Sequence, residues 1–162
     1  MTKLPSRSPD ILLCNARPED AAEIVRALIR TKEESFFQLI DPHDRDFDFW
    51  HDRWRRYLEE GSRAQQASGD GFAILARMKG ALVGFAAYHH TRWWDCDAEL
   101  QAIYVRLSHQ GRGVGTRLLR EIMQRLRGDG SRSLCVGYSP DNPYKRFYLK
   151  HGAIEINPHW AV

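Results

Sequence analysis

The 162-residue chain has the length of one domain, and its 24 Lys and Arg against 21 Asp and Glu leave a net charge of only +3. That bias is too small for a nucleic-acid footprint, and 43% hydrophobic with 28% charged residues excludes a coiled coil, a disordered tail and a collagen-like chain. The best apolar stretch, Ala81–Tyr88, falls far short of the roughly 20 residues a bilayer crossing needs, so no membrane partner is expected.

The polar start, Met1–Pro9, has no apolar core of a secretory signal, which makes the cytoplasm the expected compartment. Cys14, Cys96 and Cys135 stand far apart without a CxxC; the spacing predicts three buried, reduced thiols. A first strand is read at Ile11–Cys14. Pro18 suits a first helical position, and Ala21, Ile24, Val25, Leu28 and Ile29 recur at helical spacing, so a helix is predicted over 18–30. Residues 31–45 read as a loop holding Phe36-Phe37. A second helix, 46–60, carries Trp50, Trp54, Tyr57 and Leu58 on its apolar face and is expected to stop at Gly61. Ser62–Gly71 reads as a polar, mobile link.

The period then changes. Phe72–Arg77, Leu82–His90 and Asp97–Val105 read as three antiparallel strands, with Lys79-Gly80 as a hairpin turn and Trp93–Asp95 as a longer link. A glycine-rich loop, Gln110–Gly115, opens a strong helix over 114–127. Ser133–Tyr138 reads as a strand parallel to 97–105, because the unit between them is a βαβ crossover. A short helix over 142–150 and a last strand over 153–157 complete the pattern. The fold class is α/β: a mixed sheet with helices on its faces, in the order β-α-α-β-β-β-α-β-α-β, as one domain spanning 1–162.

Glycines between a strand and a helix let backbone approach a ligand, and the helix start offers unpaired N–H groups to an anion; a plain tight turn is the other reading. The loop lacks the Lys of a triphosphate-binding P-loop and reads GxGxG rather than GxGxxG. A diphosphate held by backbone N–H groups fits better, and coenzyme A is such a ligand.

Glu99–Val105 followed by Gln110-Gly111-Arg112-Gly113-Val114-Gly115 resembles the GNAT acetyltransferase superfamily. Gln110, Gly113 and Gly115 match its Arg/Gln-x-x-Gly-x-Gly/Ala signature. Asn142-Pro143 and Phe147-Tyr148 before Gly152 resemble its second landmark. Leu107 stands where the family often has Pro and Ala153 where it often has Phe. The chain ends after the sixth strand, where the family usually adds a seventh.

The resemblance implies an N-acetyltransferase that moves acetyl from acetyl-CoA to a primary amine of a small molecule or peptide. A catalytically silent CoA-binding module of the same fold is the alternative. The resemblance makes Glu99 the base, against a solvated strand carboxylate, with Asp97, Asp95, His89 and His90 as further groups. It makes Tyr148 the acid that protonates the leaving thiolate, against a core aromatic. It gives the cofactor Ile103, Tyr104 and Val105 through backbone N–H groups of a splayed strand, then Gln110, Gly111, Arg112, Gly113, Val114, Gly115 and Thr116. Asn142 would hold a pantetheine amide or simply cap a helix. Arg112 and Arg117, with Lys145 and Arg146, would meet phosphates or be solvated.

The resemblance implies that the first two helices, their loop and the Trp93–Asp95 link select the acceptor; they carry Phe36, Phe37, Trp50, Trp54, Trp93 and Trp94 with Glu33, Glu34, Asp95 and Asp97, a set that suits a cationic amine, although core packing explains most of the aromatics equally well. The seven His show no metal-ligand spacing, so no metal is expected. An unpaired C-terminal edge and Trp160 predict a homodimer.

Overall fold

The computed structural model describes residues 10–35, 40–68, 72–91, 95–157 and 160–161. The Phe36-Phe37 and Trp93-Trp94 pairs lie outside the described residues. The elements run β1 (Leu12–Asn15), α1 (Ala21–Ser35), α2 (Phe47–Ser68), β2 (Ala73–Met78), β3 (Ala81–His90), β4 (Ala98–Val105), α3 (Val114–Gly128), β5 (Leu134–Gly137), α4 (Lys145–Lys150), β6 (Glu155–Asn157) and β7 (Trp160–Ala161). The strands form one sheet in the order β1-β2-β3-β4-β5-β7-β6. All neighbours are antiparallel except β4 and β5, which the crossover through α3 makes parallel.

The sheet separates two apolar layers. On one face α1 and α2 bury Ile24, Val25, Leu28, Trp54 and Leu58 against Leu75, Phe85 and Ala87. On the other, α3 buries Val114, Leu118, Leu119, Ile122 and Leu126 against Ile74, Val83, Ala86 and Tyr88. Because β3 is covered on both faces, Leu82–Tyr88 is buried without a break, which is why it reads as a continuous apolar run rather than an alternation. Full burial of each such side chain contributes about 1.5–3 kcal/mol. Lys79 and Gly80 both take positive φ, +49° and +82°, as a two-residue hairpin turn requires.

Several boundaries differ from the pattern. Pro18–Asp20 is a 3-10 turn, stabilised where the Asp20 carboxylate accepts the Arg17 N–H at 2.8 Å; α1 starts after it and runs on to Ser35. The helix over 142–150 is shorter, because 142–144 form a turn before α4. Cys96 and Cys135 are buried, but Cys14 is half-buried. A seventh strand is present: β7 inserts between β5 and β6, pairing Gly137 with Trp160 and Asn157 with Trp160. The sheet edge is therefore β6, not the end of the chain, and beside and on β6 Ile154 and Ile156 are 70% and 51% exposed.

Helix α2 does not stop at Gly61; it continues to Ser68. Gly61 is buried, and a Cβ there would lie 2.8 Å from Phe72 Cδ2. The glycine serves close packing rather than termination. An exposed helical Gly→Ala change gains about 1 kcal/mol; here overpacking, which costs about 1–3 kcal/mol, opposes that gain. Gly61→Ala is therefore expected to lower the urea unfolding midpoint, and Gly61→Ala combined with Phe72→Leu to recover part of the loss.

Candidate active site

Strands β4 and β5 pair only at Ala98–Leu134 and Glu99–Cys135. Above that point no described strand residue pairs with β4 on this side. The cause lies in the β3–β4 register: Ala87 faces Ala102 and Tyr88 faces Leu100, so Gln101 is an extra, unpaired residue. Such a bulge bends its strand and increases local twist, which carries the second half of β4 away from β5. At the closed end, the Asp97 carboxylate accepts from Arg132 N–H (2.7 Å), Ser133 N–H (3.0 Å) and the Ser133 hydroxyl (3.0 Å).

The gap exposes backbone donors. Arg106 N–H donates to Val83 O at 3.0 Å, so Tyr104, two residues back in an unbroken register, also points its N–H at β3. Ile103 and Val105 point theirs into the gap. Of the three residues named from sequence, two offer backbone N–H groups there, and the N–H of Tyr104 is used by the β3 ladder.

The gap, the start of α3 and α4 enclose a cavity of about 590 Å³. Ile103, Tyr104, Val105, Gln110, Gly111, Gly113, Val114, Gly115, Thr116, Asn142 and Tyr148 all line it. Arg112 is exposed at its margin and Glu99 is not in its wall. Gly111 and Gly113 take φ of +69° and +83°, and Gly113 precedes α3 with no side-chain cap. The first intrahelical bond is Arg117 N–H to Gly113 O, so the N–H groups of Val114, Gly115 and Thr116 have no helical acceptor. Gly115 acts differently: a Cβ there would lie 3.3 Å from the Phe147 ring, so this glycine lets α4 pack on α3. The Gln110 side chain is turned inward, donating to Val105 O at 3.0 Å, and ties the loop to the end of β4.

Tyr148 stacks on Tyr138 with ring centres 5.9 Å apart. Burial, with Tyr104 and Tyr138 beside it, pushes its phenol up to about 12, so the hydroxyl keeps its proton at neutral pH. Asn142 Oδ1 accepts the Tyr144 N–H at 2.8 Å; its amide N–H₂ is left to donate. Lys145 is committed to Glu155 at 2.9 Å, whereas Arg117, Arg146 and Lys150 are exposed.

A second cavity, about 640 Å³, lies between α1, α2 and β4 and shares Gln101, Ala102 and Tyr104 with the first. Phe49, Trp50, Trp54 and Tyr57 line it with Lys32, Asp52, Arg53, Arg56 and Glu60. Lys32 is paired with Asp44 and lies 4.7 Å from the Trp50 ring centre. The carboxylates named from sequence are placed elsewhere. Glu33 pairs with Arg45 and Glu34 with Arg30, Asp97 closes the β4–β5 junction, and Asp95 is exposed outside both linings.

Glu99 stands two residues before the bulge on the α1–α2 face, half-buried, with Oε2 3.5 Å from His89 Nε2. His90 instead meets Asp129 at 3.1 Å, so only one of the two histidines faces Glu99. Gln101 and His151 also line the first cavity without a signal of their own in the sequence: an unpaired bulge residue leaves no periodic trace, and His151 sits inside the Phe147–Gly152 motif. Among the described residues no group of three metal-ligating side chains converges, and no helix is long and apolar enough to cross a membrane.

A sequence profile of the acetyltransferase (GNAT) family matches residues 28–153. Among curated proteins none matches. Solved structures share the fold. The PaiA N-acetyltransferase of Thermoplasma acidophilum, in complex with coenzyme A, is 16% identical, with 94% of this chain and 96% of that one covered and a TM-score of 0.76. A ribosomal-protein-alanine N-acetyltransferase of Brucella melitensis is 21% identical over 90% and 86% of the two chains, TM-score 0.65. A GNAT-family acetyltransferase of the same organism, in complex with acetyl-CoA, is 19% identical over 93% and 85%, TM-score 0.56.

The Asp97 junction gives a pH-dependent expectation. The Arg132 N–H, then the Ser133 hydroxyl and N–H, hold its carboxyl below the usual carboxylate range. A folded value below the unfolded one, near about 4, stabilises the fold above that pH and is lost as pH falls through the folded value. Asp97→Asn is expected to lower Tm at pH 7, with the gap to wild type narrowing below about pH 4; a gap constant with pH would mean that the charge is not what holds the junction.

Proposed function

The chain belongs to the acetyltransferase (GNAT) family, and from that premise we propose that it is an N-acetyltransferase, carrying acetyl from acetyl-CoA directly to a primary amine of a small molecule or peptide. The observation that carries this reading is the opened β4–β5 gap. It joins two unpaired backbone donors, an uncapped helix start and a protonated tyrosine in one cavity, with a second cavity on the other side of the bulge.

The parts fit an extended thioester with a diphosphate at one end. Ile103 and Val105 would pair with the pantetheine arm as a missing strand would, and the Asn142 amide would donate to it. The N–H groups of Val114, Gly115 and Thr116 would take the pyrophosphate at the positive end of α3. Arg112, Arg117, Arg146 and Lys150 at the margin would meet phosphate charge, whereas Lys145 is spent on Glu155. A backbone donor of β4 would stabilise the carbonyl oxygen as negative charge develops there.

In the transfer the amine nitrogen forms the new C–N bond and the C–S bond breaks. Tyr148 gives its proton to the departing sulfur. Glu99, beside His89, removes a proton from the amine through water, because it stands outside both cavity walls. The acceptor would lie in the aromatic cavity of α1 and α2, whose Asp52, Glu60, Arg53 and Arg56 supply charges of both signs. A silent CoA-binding module would need neither the second cavity nor a tyrosine in the wall of the first.

The test is thiol release from acetyl-CoA across a panel of amines, with metal-free CoA binding followed by calorimetry. CoA binding without thiol release from any amine would favour the silent module. Tyr148→Phe is expected to keep CoA affinity and lose about 10²–10⁴-fold in turnover, the range for acid catalysis. Glu99→Gln is expected to lose most at low pH, where more of the amine is protonated; a loss uniform with pH would make Glu99 an orienting group.

We also propose a homodimer through the β6 edge, a reading supported by the exposed Ile154 and Ile156 beside and on that strand. Light scattering that gives a strict monomer of 18.8 kDa removes this part alone.

A further inference from the structure

Helix α4 has six residues, too few to hold its own orientation, since isolated helices below about 12 residues are marginal in water. Its placement depends on contacts with α3. One is the Phe147 ring against Gly115. The other runs through His151. The His151 Nδ1–H donates to Phe147 O at 2.7 Å, and the remaining ring nitrogen, Nε2, lies 3.1 Å from the Thr116 hydroxyl. A carbonyl can only accept, so Nδ1 carries the proton, and in the neutral ring Nε2 accepts from Thr116. The imidazole also packs 4.6 Å from the Phe147 ring centre. The same turn fixes the Tyr148 backbone, whose carbonyl accepts the N–H groups of His151 (2.9 Å) and Ala153 (3.1 Å).

We infer that His151 is a positioning residue for Tyr148: by bridging Thr116 on α3 to the Phe147 carbonyl on α4, it sets where the tyrosine hydroxyl stands relative to the cofactor loop. This rests on the reading of Tyr148 as the acid. The bridge lies in the wall of the cavity, since both Thr116 and His151 line it. The contact joins the loop that would seat the phosphates to the group that would protonate the sulfur, so both ends of one extended ligand are referred to a single frame. A misplacement near 1 Å can cost about 10²-fold in rate without loss of binding.

The experiment measures kcat and KM for acetyl-CoA in His151→Phe, His151→Gln, Thr116→Val and Thr116→Ser, and repeats His151→Phe in the Tyr148→Phe background. His151→Phe keeps an aromatic ring against Phe147 and removes both hydrogen bonds. It is expected to lower kcat about tenfold or more with KM changed less than twofold. His151→Gln, which can still accept from Thr116, recovers part of the loss. In the Tyr148→Phe background His151→Phe costs nothing further.

A rise in KM with unchanged kcat would make His151 a direct ligand contact and overturn the inference. So would an equal kcat loss in both backgrounds. If His151→Phe does not fold, the Thr116 pair decides: Thr116→Val must lower kcat and Thr116→Ser, which keeps the hydroxyl, must recover most of that loss; wild-type kcat in Thr116→Val, or an equal loss in both, overturns the bridge. Wild-type turnover in Tyr148→Phe instead removes the acid reading, and this inference with it.

Discussion

One extra residue in β4 organises the active end of this molecule. Gln101 has no partner in β3, and the bend it introduces means β4 pairs with β5 at only two positions. A parallel pair that continued upward would satisfy its own backbone donors. Because it does not, Ile103 and Val105 are left with N–H groups facing a cavity, a cost the fold bears where a ligand would repay it. The Asp97 network fixes the closed end and so keeps the opening to one side. The sheet is thus both a core element and an opened edge, a combination that needs no additional loop or insertion.

Two helices complete that edge by different physical means. The start of α3 contributes unpaired N–H groups and the positive end of its dipole, delivered by glycines at positive φ. Helix α4 contributes side chains and is too short to orient itself, so Phe147, Tyr148 and His151 fasten it to α3 and to Tyr138. The three glycines of the loop accordingly have two roles. Gly111 and Gly113 permit the turn, and Gly115 permits close approach of α4. Burial raises the phenol of the tyrosine held at this joint further above neutral pH, as the proposed donor to a leaving sulfur requires.

Charges around the α1–α2 cavity are distributed by packing rather than by proximity in sequence. Glu33, Glu34 and Asp97 are absorbed in pairs and caps, and Lys32 is neutralised by Asp44 against Trp50. What lines the second cavity is an aromatic wall with Arg53, Arg56, Asp52 and Glu60 from one helix, α2. The bulge forms the partition between this cavity and the first, which is why Gln101, Ala102 and Tyr104 belong to both.

The sequence by itself determined the element order as far as β6, the two-sided sheet and the location of the glycine loop, because these follow from local periodicity and from glycines between a strand and a helix. It also placed Tyr148 and Asn142 beside that loop, through the spacing of a family resemblance. Tertiary structure decided what depends on register and on contacts across long separations. The bulge at Gln101 has no local signature, since one unpaired residue does not disturb a strand's composition. Gly61 reads as a stop until Phe72, eleven positions on, is seen against it. The two-residue β7 is too short for any period, and it exists only because β5 and β6 flank it. His151 gains its place only when α3 and α4 meet, 35 residues apart in the chain. Local patterns specify which segments form; the distances between segments, set by packing, specify which side chains share a cavity.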